Sequence, residues 1–500
     1  MAHTPIGAQM GLGNFVKRVQ DIMRNDAGIN GDAQRIEQMT WLLFLKVYNA
    51  KEQDWAALRH DYRSVIPDRF RWGAWAVDRR DGQALTGDAL LNFVNIELFP
   101  ALKNLDIGRR AARGHAIVRQ VFEDNNNYMK DGVLLRQVIN VVDELNLGRY
   151  DDRHAFGEIY ETILRSLQSA GNAGEFYTPR AVTDFMAKMV APKLGERVAD
   201  FACGTGGFLT SALKVLDPQV KAAEDRATYN SSIYGMEKKA LPYLLCVTNM
   251  LLHDVDSPEI DHGNSLEQNV RDYGEKDRFD VVLMNPPYGG SEKEGVKINF
   301  PADLRSSETA DLFIVLIMHR LKKTGRAAVI IPDGFLFGAD NAKTAIKKKL
   351  LADFSLHTVL RMPHSVFAPY TGITTNILFF DGAGPTKSTW FYRLDMPEGV
   401  KNFSKTKPMR LDHFAHAEEW WHSRRDIAQD GFDKAKSYTA HDLAARNYNL
   451  DLCGFPHQEE EILPPLELIA RHRQERAALA AGMDQVLGEI EAALTKKSSS

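Results

Sequence analysis

The apolar run Val281-Val282-Leu283-Met284, followed at once by Asn285-Pro286-Pro287-Tyr288, constrains this chain more than any other stretch. A short apolar run closed by turn formers predicts a buried strand of a parallel sheet. The tetrapeptide then stands at the strand's carboxyl end, where open α/β sheets hold their ligands. Tandem prolines remove two backbone donors and fix two φ angles, so the carbonyls of Asn285 and Pro286 are held off the sheet ladder. With the Asn285 amide oxygen they form a rigid acceptor set beside an aromatic platform, Tyr288. Such a set fits an exocyclic or primary-amide NH2. Accepting from both N–H bonds while the ring stacks on Tyr288 localises the nitrogen lone pair for attack, without a strong base. Taken alone, the tetrapeptide is also compatible with a Pro-rich turn that merely ends a strand, and the neighbouring motifs have to decide.

A chain of 500 residues predicts roughly three domains. Residues 1–170 read as mostly helical: Ile36, Met39, Leu42, Leu43 and Val47 recur at helical spacing, as do Leu135, Val138, Val141, Val142 and Leu145. Trp72 and Trp75 read as core anchors of that region rather than as a base-stacking surface. Over 171–385, short apolar runs alternate with amphipathic stretches, which predicts a parallel sheet with helical crossovers. The expected strands are Arg197–Phe201, Ser232–Met236, Phe279–Met284, Arg326–Ile331, Leu356–Met362 and Thr375–Phe380. The expected helices cover Pro179–Val190, Phe208–Val215, Lys239–Leu252, Asp311–Leu321 and Asn341–Phe354. Residues 386–500 form a charged C-terminal extension. In it Leu466, Ile469, Arg473, Arg476, Ala480, Met483, Leu487, Ile490 and Leu494 recur by threes and fours, a heptad seam that packs on its own domain or on a partner's helix.

Three cysteines, Cys203, Cys246 and Cys453, fit no disulfide or zinc spacing, no metal site is expected, and a reducing cytoplasm is the simple reading. No apolar run approaches the roughly 20 residues of a membrane span, and Met1-Ala2-His3-Thr4-Pro5 does not open a secretory signal. A net charge of −4 means that binding to nucleic acid would rest on a local patch or on a partner that supplies phosphate contacts. The basic run Lys347-Lys348-Lys349 reads as a solvated helix face rather than a phosphate site.

The stretch from Asp200 to Phe208 (Asp-Phe-Ala-Cys-Gly-Thr-Gly-Gly-Phe) comes directly after the first expected strand and opens a helix. Its glycines let backbone approach a ligand, and the helix N-terminus favours an anionic group, either a phosphate or the carboxylate of an amino-acid-like cofactor. A dinucleotide fingerprint would place glycine where Leu209 stands, which counts against NAD. Glu237 ends the next expected strand, where an acid can accept both hydroxyls of a ribose.

Together these residues resemble the S-adenosylmethionine-dependent amino-methyltransferases. Almost the whole chain resembles the modification (M) subunit of a type I restriction-modification enzyme, in the N6-adenine DNA methyltransferase family. Gly174-Glu175-Phe176-Tyr177-Thr178-Pro179-Arg180 matches the family segment ahead of the glycine loop. Asp200 to Gly207 matches its Asp-Pro-Ala-x-Gly-Thr-Gly pattern, with Phe201 in place of proline. Gly263-Asn264-Ser265-Leu266 matches the segment near the cofactor adenine, and Asn285 to Tyr288 the catalytic tetrapeptide. Gly325–Phe335 and Thr371–Asn376 match segments that build the target-base pocket. The resemblance implies an α/β, Rossmann-like methyltransferase core with an N-terminal helical domain and a C-terminal helical tail. It implies S-adenosylmethionine as cofactor, held by Glu175, Phe176, Tyr177, Thr178, Pro179, Arg180, Asp200, Thr205, Gly206, Gly207, Glu237 and Asn264. The catalytic residues it implies are Asn285, Pro286, Pro287 and Tyr288. The implied partners are duplex DNA with a flipped adenine, a separate specificity (S) subunit, a second M subunit and a restriction (R) subunit, with no membrane.

On this reading the base leaves the duplex because its amine cannot be reached while stacked. Tyr288 stacks on it, Asn285 and Pro286 orient the NH2, and Gly289–Thr309 closes over it once DNA is bound. Adenine over cytosine rests on the resemblance, since either exocyclic amine meets these acceptors. The same tetrapeptide serves enzymes that methylate a glutamine amide in proteins, but those lack the long N-terminal region and the Gly-Glu-Phe-Tyr-Thr-Pro-Arg segment. A catalytically silent subunit that binds cofactor only to license a nuclease would not be expected to keep every active-site residue.

Overall fold

The computed structural model describes residues 6–78, 82–106, 113–147, 160, 177–368, 371–404, 406–455 and most positions between 467 and 488. The chain divides into two units, Met1–Gly454 and Phe455–Ser500. In the first, one sheet is built from β1 (Val198–Asp200), β2 (Ile233–Glu237), β3 (Glu259–His262), β4 (Phe279–Met284), β5 (Leu321–Pro332), β6 (Ser355–Arg361), β7 (Thr375–Asp381), β8 (Ser388–Arg393), β9 (Ile427–Gln429) and β10 (Phe432–Thr439). Their order is β3-β2-β1-β4-β5-β7-β6-β8-β10-β9.

The first five strands are parallel neighbours, and they read as continuous apolar runs where both faces are covered. In β4, Val281 and Leu283 join the cluster formed with Val182, Phe185, Phe208 and Ala212 of helices Arg180–Val190 and Gly207–Leu216. Val282 and Met284 point the other way, into the cluster of Leu312, Leu316, Ile346 and Leu350 from helices Thr309–Arg320 and Asn341–Asp353. All six expected strands and all five expected helices form.

The sheet departs from the parallel expectation beyond β5. β7 runs antiparallel to both β5 and β6, and the described stretch between β6 and β7 contains no helix, so the crossover that a parallel neighbour requires is missing. Residues of the expected C-terminal extension continue the same sheet, with β8 parallel to β6 and β10 and β9 antiparallel beyond it. β3, β8, β9 and β10 carry too many polar residues to read as buried strands.

Helix Gly31–Leu58 packs on helix Ala240–Leu252. Lys51, 4% exposed, reaches Asp254 at 2.9 Å and Asp256 at 2.8 Å, and the Tyr243 hydroxyl donates to Gln120 at 2.8 Å. Trp72 and Trp75 are buried edge to face, and Trp72 Nε1 donates to Asp143 at 2.8 Å. Helix Gly132–Asp143 is capped by Asp131, whose side chain accepts from Val133 and Leu134 N–H.

The Lys347–Lys349 run is not a uniformly solvated face. Lys347 is buried and its amino group donates to the carbonyls of Leu336 and Gly338 at 3.0 and 2.7 Å, closing the turn after β5. Lys349 pairs with Asp353, leaving Lys348 as the exposed member. In the second unit, Ile469, Arg473, Arg476, Ala480, Met483 and Leu487 are helical and exposed, whereas Leu466, Ile490 and Leu494 lie outside the described residues.

His357 of β6 lies among Phe379, Trp421 and Arg424. Burial, with the Arg424 charge beside it, pulls its pKa down to about 4. Between the usual 6.5 and about 4, the unfolded chain binds a proton that the folded chain refuses, so stability falls as pH drops through that window. His357→Phe should flatten this acid limb when melting temperature is followed across the same window. Superimposable limbs for variant and wild type would refute the assignment.

Candidate active site

Because β1 and β4 pair in parallel, with Ala199 opposite Val282, the glycine loop and the Asn-Pro-Pro-Tyr motif leave the sheet at one edge. Gly206 adopts φ +83° at the cap of helix Gly207–Leu216, a conformation that side chains rarely take. A Cβ there would stand 2.9 Å from Cys246 Sγ and 2.9 Å from Met250 Cε. Gly207 lies under Arg180, whose Nη1 would be 2.9 Å from an added Cβ and donates to Thr210 Oγ1 at 2.9 Å. The Arg180 guanidinium also sits over the Tyr177 ring, 5.4 Å from its centroid. A cation and a helix N-terminus thus meet at one point, which favours an anionic group there.

The loop is held from several sides. Glu237 accepts from Gly204 N–H at 2.9 Å and from Lys239 N–H at 2.8 Å. Asp200 is buried and accepts from Ala202 N–H at 3.1 Å. Burial holds the Asp200 carboxyl well above the usual carboxylate range, and the nearby Glu237 charge adds to this. Asp200 therefore organises the loop from beneath. Phe201, which replaces the family's proline, is fixed by packing: Phe279 and Tyr234 lie edge-on at 5.7 and 6.3 Å, and the Arg320 guanidinium caps the ring at 4.9 Å. Asn264 accepts from Leu266 N–H at 3.1 Å and shapes the turn after β3.

Asn285 is partly exposed at the tip of β4. Its Nδ2 donates to Thr178 Oγ1 at 3.0 Å, and its Oδ1 accepts from the Tyr288 hydroxyl. Pro286 is buried and Pro287 exposed. Among the described residues none donates to the backbone carbonyl of Asn285 or Pro286. Burial pushes the Tyr288 hydroxyl well above its usual pKa. The Phe367 ring stands edge-on to Tyr288 at 6.5 Å.

The geometry thus brings Tyr177, Thr178, Pro179, Arg180, Asp200, Thr205, Gly206, Gly207 and Glu237 to the edge that carries Asn285, Pro286, Pro287 and Tyr288, with Asn264 in the adjoining turn. Glu175 and Phe176 lie outside the described residues. Sequence reasoning missed Asn249, whose Nδ2 donates to the Thr205 carbonyl at 3.1 Å, and did not single out Ser265, whose hydroxyl donates to the Phe201 carbonyl at 2.6 Å. Asn249 sits beside Thr248 in a helix that is apolar along most of its length, and an amide at such a position was the available signal. In the 289–309 stretch, Asn299 donates to the carbonyls of Leu266 and Glu267 at 3.1 and 2.8 Å, and Phe300 and Leu304 are buried, which holds its second half beside the turn after β3. No group of three or more potential metal ligands occurs among the described residues.

Residues 151–462 match the family model for the N-6 DNA methylases, and residues 12–142 match the HsdM N-terminal domain. The EcoEI type I restriction enzyme methylase subunit of Escherichia coli is 48% identical over 97% of this chain and 99% of its own length. A crystallised modification subunit of a type I restriction enzyme from Vibrio vulnificus YJ016 superposes with a TM-score of 0.78 at 41% identity, covering 88% of this chain and 94% of that one. A chain from a study of complex assembly in the type I R-M system gives 0.78 at 34% identity, covering 96% and 98%. Matches over nearly the full length, N-terminal helices included, do not favour a protein-amide methyltransferase. The chain belongs to the N-6 DNA methylase family, as a methylase (modification) subunit of the type I restriction enzymes.

Proposed function

We propose that Asn285, Pro286 and Tyr288 present the target adenine amine of a flipped nucleotide, and that S-adenosylmethionine is held beside them. One observation carries this reading: the chain of hydrogen bonds from Thr178 through Asn285 to Tyr288 links the segment ahead of the glycine loop to the Asn-Pro-Pro-Tyr motif. The residues present fit the cofactor. Gly206 gives the loop its left-handed turn into the helix, Arg180 and the N-terminus of helix Gly207–Leu216 suit its carboxylate, and the Glu237 carboxylate suits its ribose. Glu175, Phe176, Tyr177, Thr178, Pro179, Asp200, Thr205, Gly207 and Asn264 complete the proposed set. When bound, S-adenosylmethionine supplies the electrophilic methyl group.

The chain's own residues do the rest. The Asn285 amide oxygen and the Pro286 carbonyl accept from the two N–H bonds of the amine, which localises its lone pair. Tyr288 stacks on the base, and the rigid Pro286-Pro287 unit holds both acceptors in place. Positioning and fixed dipoles account for most of the acceleration, and no side chain has to act as a strong base.

The same reading gives a three-part organisation: a helical region over 1–170, a catalytic domain that starts at 171 and whose sheet runs past the expected boundary at 385 through β8, β9 and β10, and a C-terminal extension whose helix docks on a partner. Ile469, Leu479, Met483, Val486 and Leu487 are all exposed on that helix, an apolar surface suited to the helices of a specificity subunit. DNA sequence is then read by that subunit, which fits the charge of −4, with a second M subunit and a restriction subunit completing a cytoplasmic assembly.

Asn285→Ala should lower methyl transfer to duplex DNA by roughly 10²–10³-fold, the usual loss when one preorganised partner is removed, while calorimetry finds cofactor affinity unchanged. Transfer at the wild-type rate would discredit the assignment. Gly206→Ala should instead act on the cofactor: a side chain at φ +83° costs about 1–2 kcal/mol of strain and meets Cys246 and Met250. Its expected signature is weakened S-adenosylmethionine binding by calorimetry, and wild-type affinity would count against the loop's role.

A further inference from the structure

One strand beyond Asn285, the same edge carries a polar cluster outside the proposed amine-presenting and cofactor-holding residues, with Asp333 and Asn376 drawn from the segments that resemble the family's target-base pocket. Asp333 comes directly after the last residue of β5, the strand paired with β4. Its Oδ1 accepts from Asn376 Nδ2 at 2.6 Å and lies 3.5 Å from Arg361 Nη2. Asn376, near the start of β7, is fully buried, and Arg361, at the end of β6, is 5% exposed. The other terminal nitrogen of Arg361, Nη1, pairs with Asp451.

Asp451 lies in the last stretch of the first unit, just ahead of the C-terminal one. That stretch is fastened to the sheet edge at two further points. Leu450 N–H donates to the Leu336 carbonyl at 3.1 Å, and buried Arg393 donates to the Gly454 carbonyl at 2.8 Å. On the other side, β6 leads from Arg361 into the segment whose Phe367 stands edge-on to Tyr288.

A guanidinium this deeply buried cannot reach a DNA phosphate, and two flanking carboxylates would repel one. Removing either acid would leave charge uncompensated in a poorly solvated place, so the cluster acts by holding several chain segments in register. Thr375 Oγ1 and Asn376 Oδ1, both buried at this edge, have no partner among the described residues. Unpaired buried acceptors are costly, and their presence here marks a wall able to take up another hydrogen-bonding arrangement.

We propose that Arg361 is a positioning residue: through Asp333 and Asp451 it locks the target side of the site to the segment leading into the C-terminal helix, so that engagement of that helix by the specificity subunit is felt at Tyr288. This role rests on Tyr288 stacking on the target base and on the C-terminal helix docking on a specificity subunit.

The test uses the full chain assembled with its specificity subunit and compares Asp451→Asn and Asp451→Glu with wild type. For Asp451→Asn, kcat for methyl transfer to duplex DNA should fall about tenfold, the scale expected of a small misplacement. Assembly by size exclusion and S-adenosylmethionine affinity by calorimetry should stay within about twofold of wild type, since neither contact set is touched. Asp451→Glu, which keeps the charge, should recover most of the lost kcat. An unchanged kcat in Asp451→Asn overturns the proposal. So does loss of cofactor affinity or assembly in parallel with kcat, or a glutamate variant as impaired as the asparagine one. A wild-type assembly that transfers no methyl group overturns both readings together, whereas the variants set against an active wild type overturn this one alone.

Discussion

β1 and β4 run side by side in the same direction, Val198 opposite Val281 and Ala199 opposite Val282, and this alignment makes a site out of motifs far apart in sequence. Parallel neighbours end at a common edge, so the loop that leaves β1 and the tetrapeptide that leaves β4 meet without any further arrangement. The alignment is strongly specified. Each strand is buried on both faces, and a slip of one residue would exchange the side chains facing the two helical layers. Val281 and Leu283 would then meet the packing built for Val282 and Met284. The apolar run that first indicated a strand is also what fixes the position of Asn285.

The glycine loop is held by others more than by itself. Glu237 takes the Gly204 N–H, Asn249 reaches the Thr205 carbonyl, Ser265 the Phe201 carbonyl, and Cys246 and Met250 fill the space beside Gly206. Three of these residues, Cys246, Asn249 and Met250, lie on helix Ala240–Leu252, and that helix is joined to the N-terminal helices through Tyr243 and Gln120. Lys51 pins the turn at the end of the same helix, through Asp254 and Asp256. The N-terminal region therefore buttresses the loop mechanically. It carries none of the proposed site residues, yet the helix that shapes the loop depends on it.

Legibility in the sequence tracked the strength of the local signal. β1, β2, β4, β5, β6 and β7 announce themselves as apolar runs, and the tips of β1 and β4 were legible because turn formers come directly after them. β3 (Glu259–His262) and β10 (Phe432–Thr439) were not, because a strand exposed on one side carries charges that break the pattern. The antiparallel course of β7 was hidden for another reason: direction depends on what the connection can span, and nothing within Thr375–Asp381 encodes it. In the site, Asn285 and Gly206 were legible because their residue types have few other uses in that setting. Ser265 and Asn249 act through single hydrogen bonds to carbonyls of distant segments, which only the folded chain reveals. Lys347 misled because three consecutive lysines look alike in sequence, while on a helix one of them turns inward.

The Asn285 amide is engaged at both ends: Nδ2 donates to Thr178, and Oδ1 accepts from Tyr288. On the proposed reading, an incoming amine can use the second lone pair of that oxygen or replace the Tyr288 hydroxyl on it. In either case the acceptor is never left bare in a partly buried place. Because burial keeps the Tyr288 phenol well above its usual pKa, it remains a donor and cannot repel the amide oxygen as a phenolate. Thr178 matters for a further reason. An unrestrained amide could turn either its oxygen or its NH2 toward the target, and only the oxygen can accept. The hydrogen bond from Nδ2 to Thr178 restrains that rotation, with Oδ1 on the Tyr288 side. On the proposed reading, a residue of the segment ahead of the glycine loop thereby steadies the amide that orients the target.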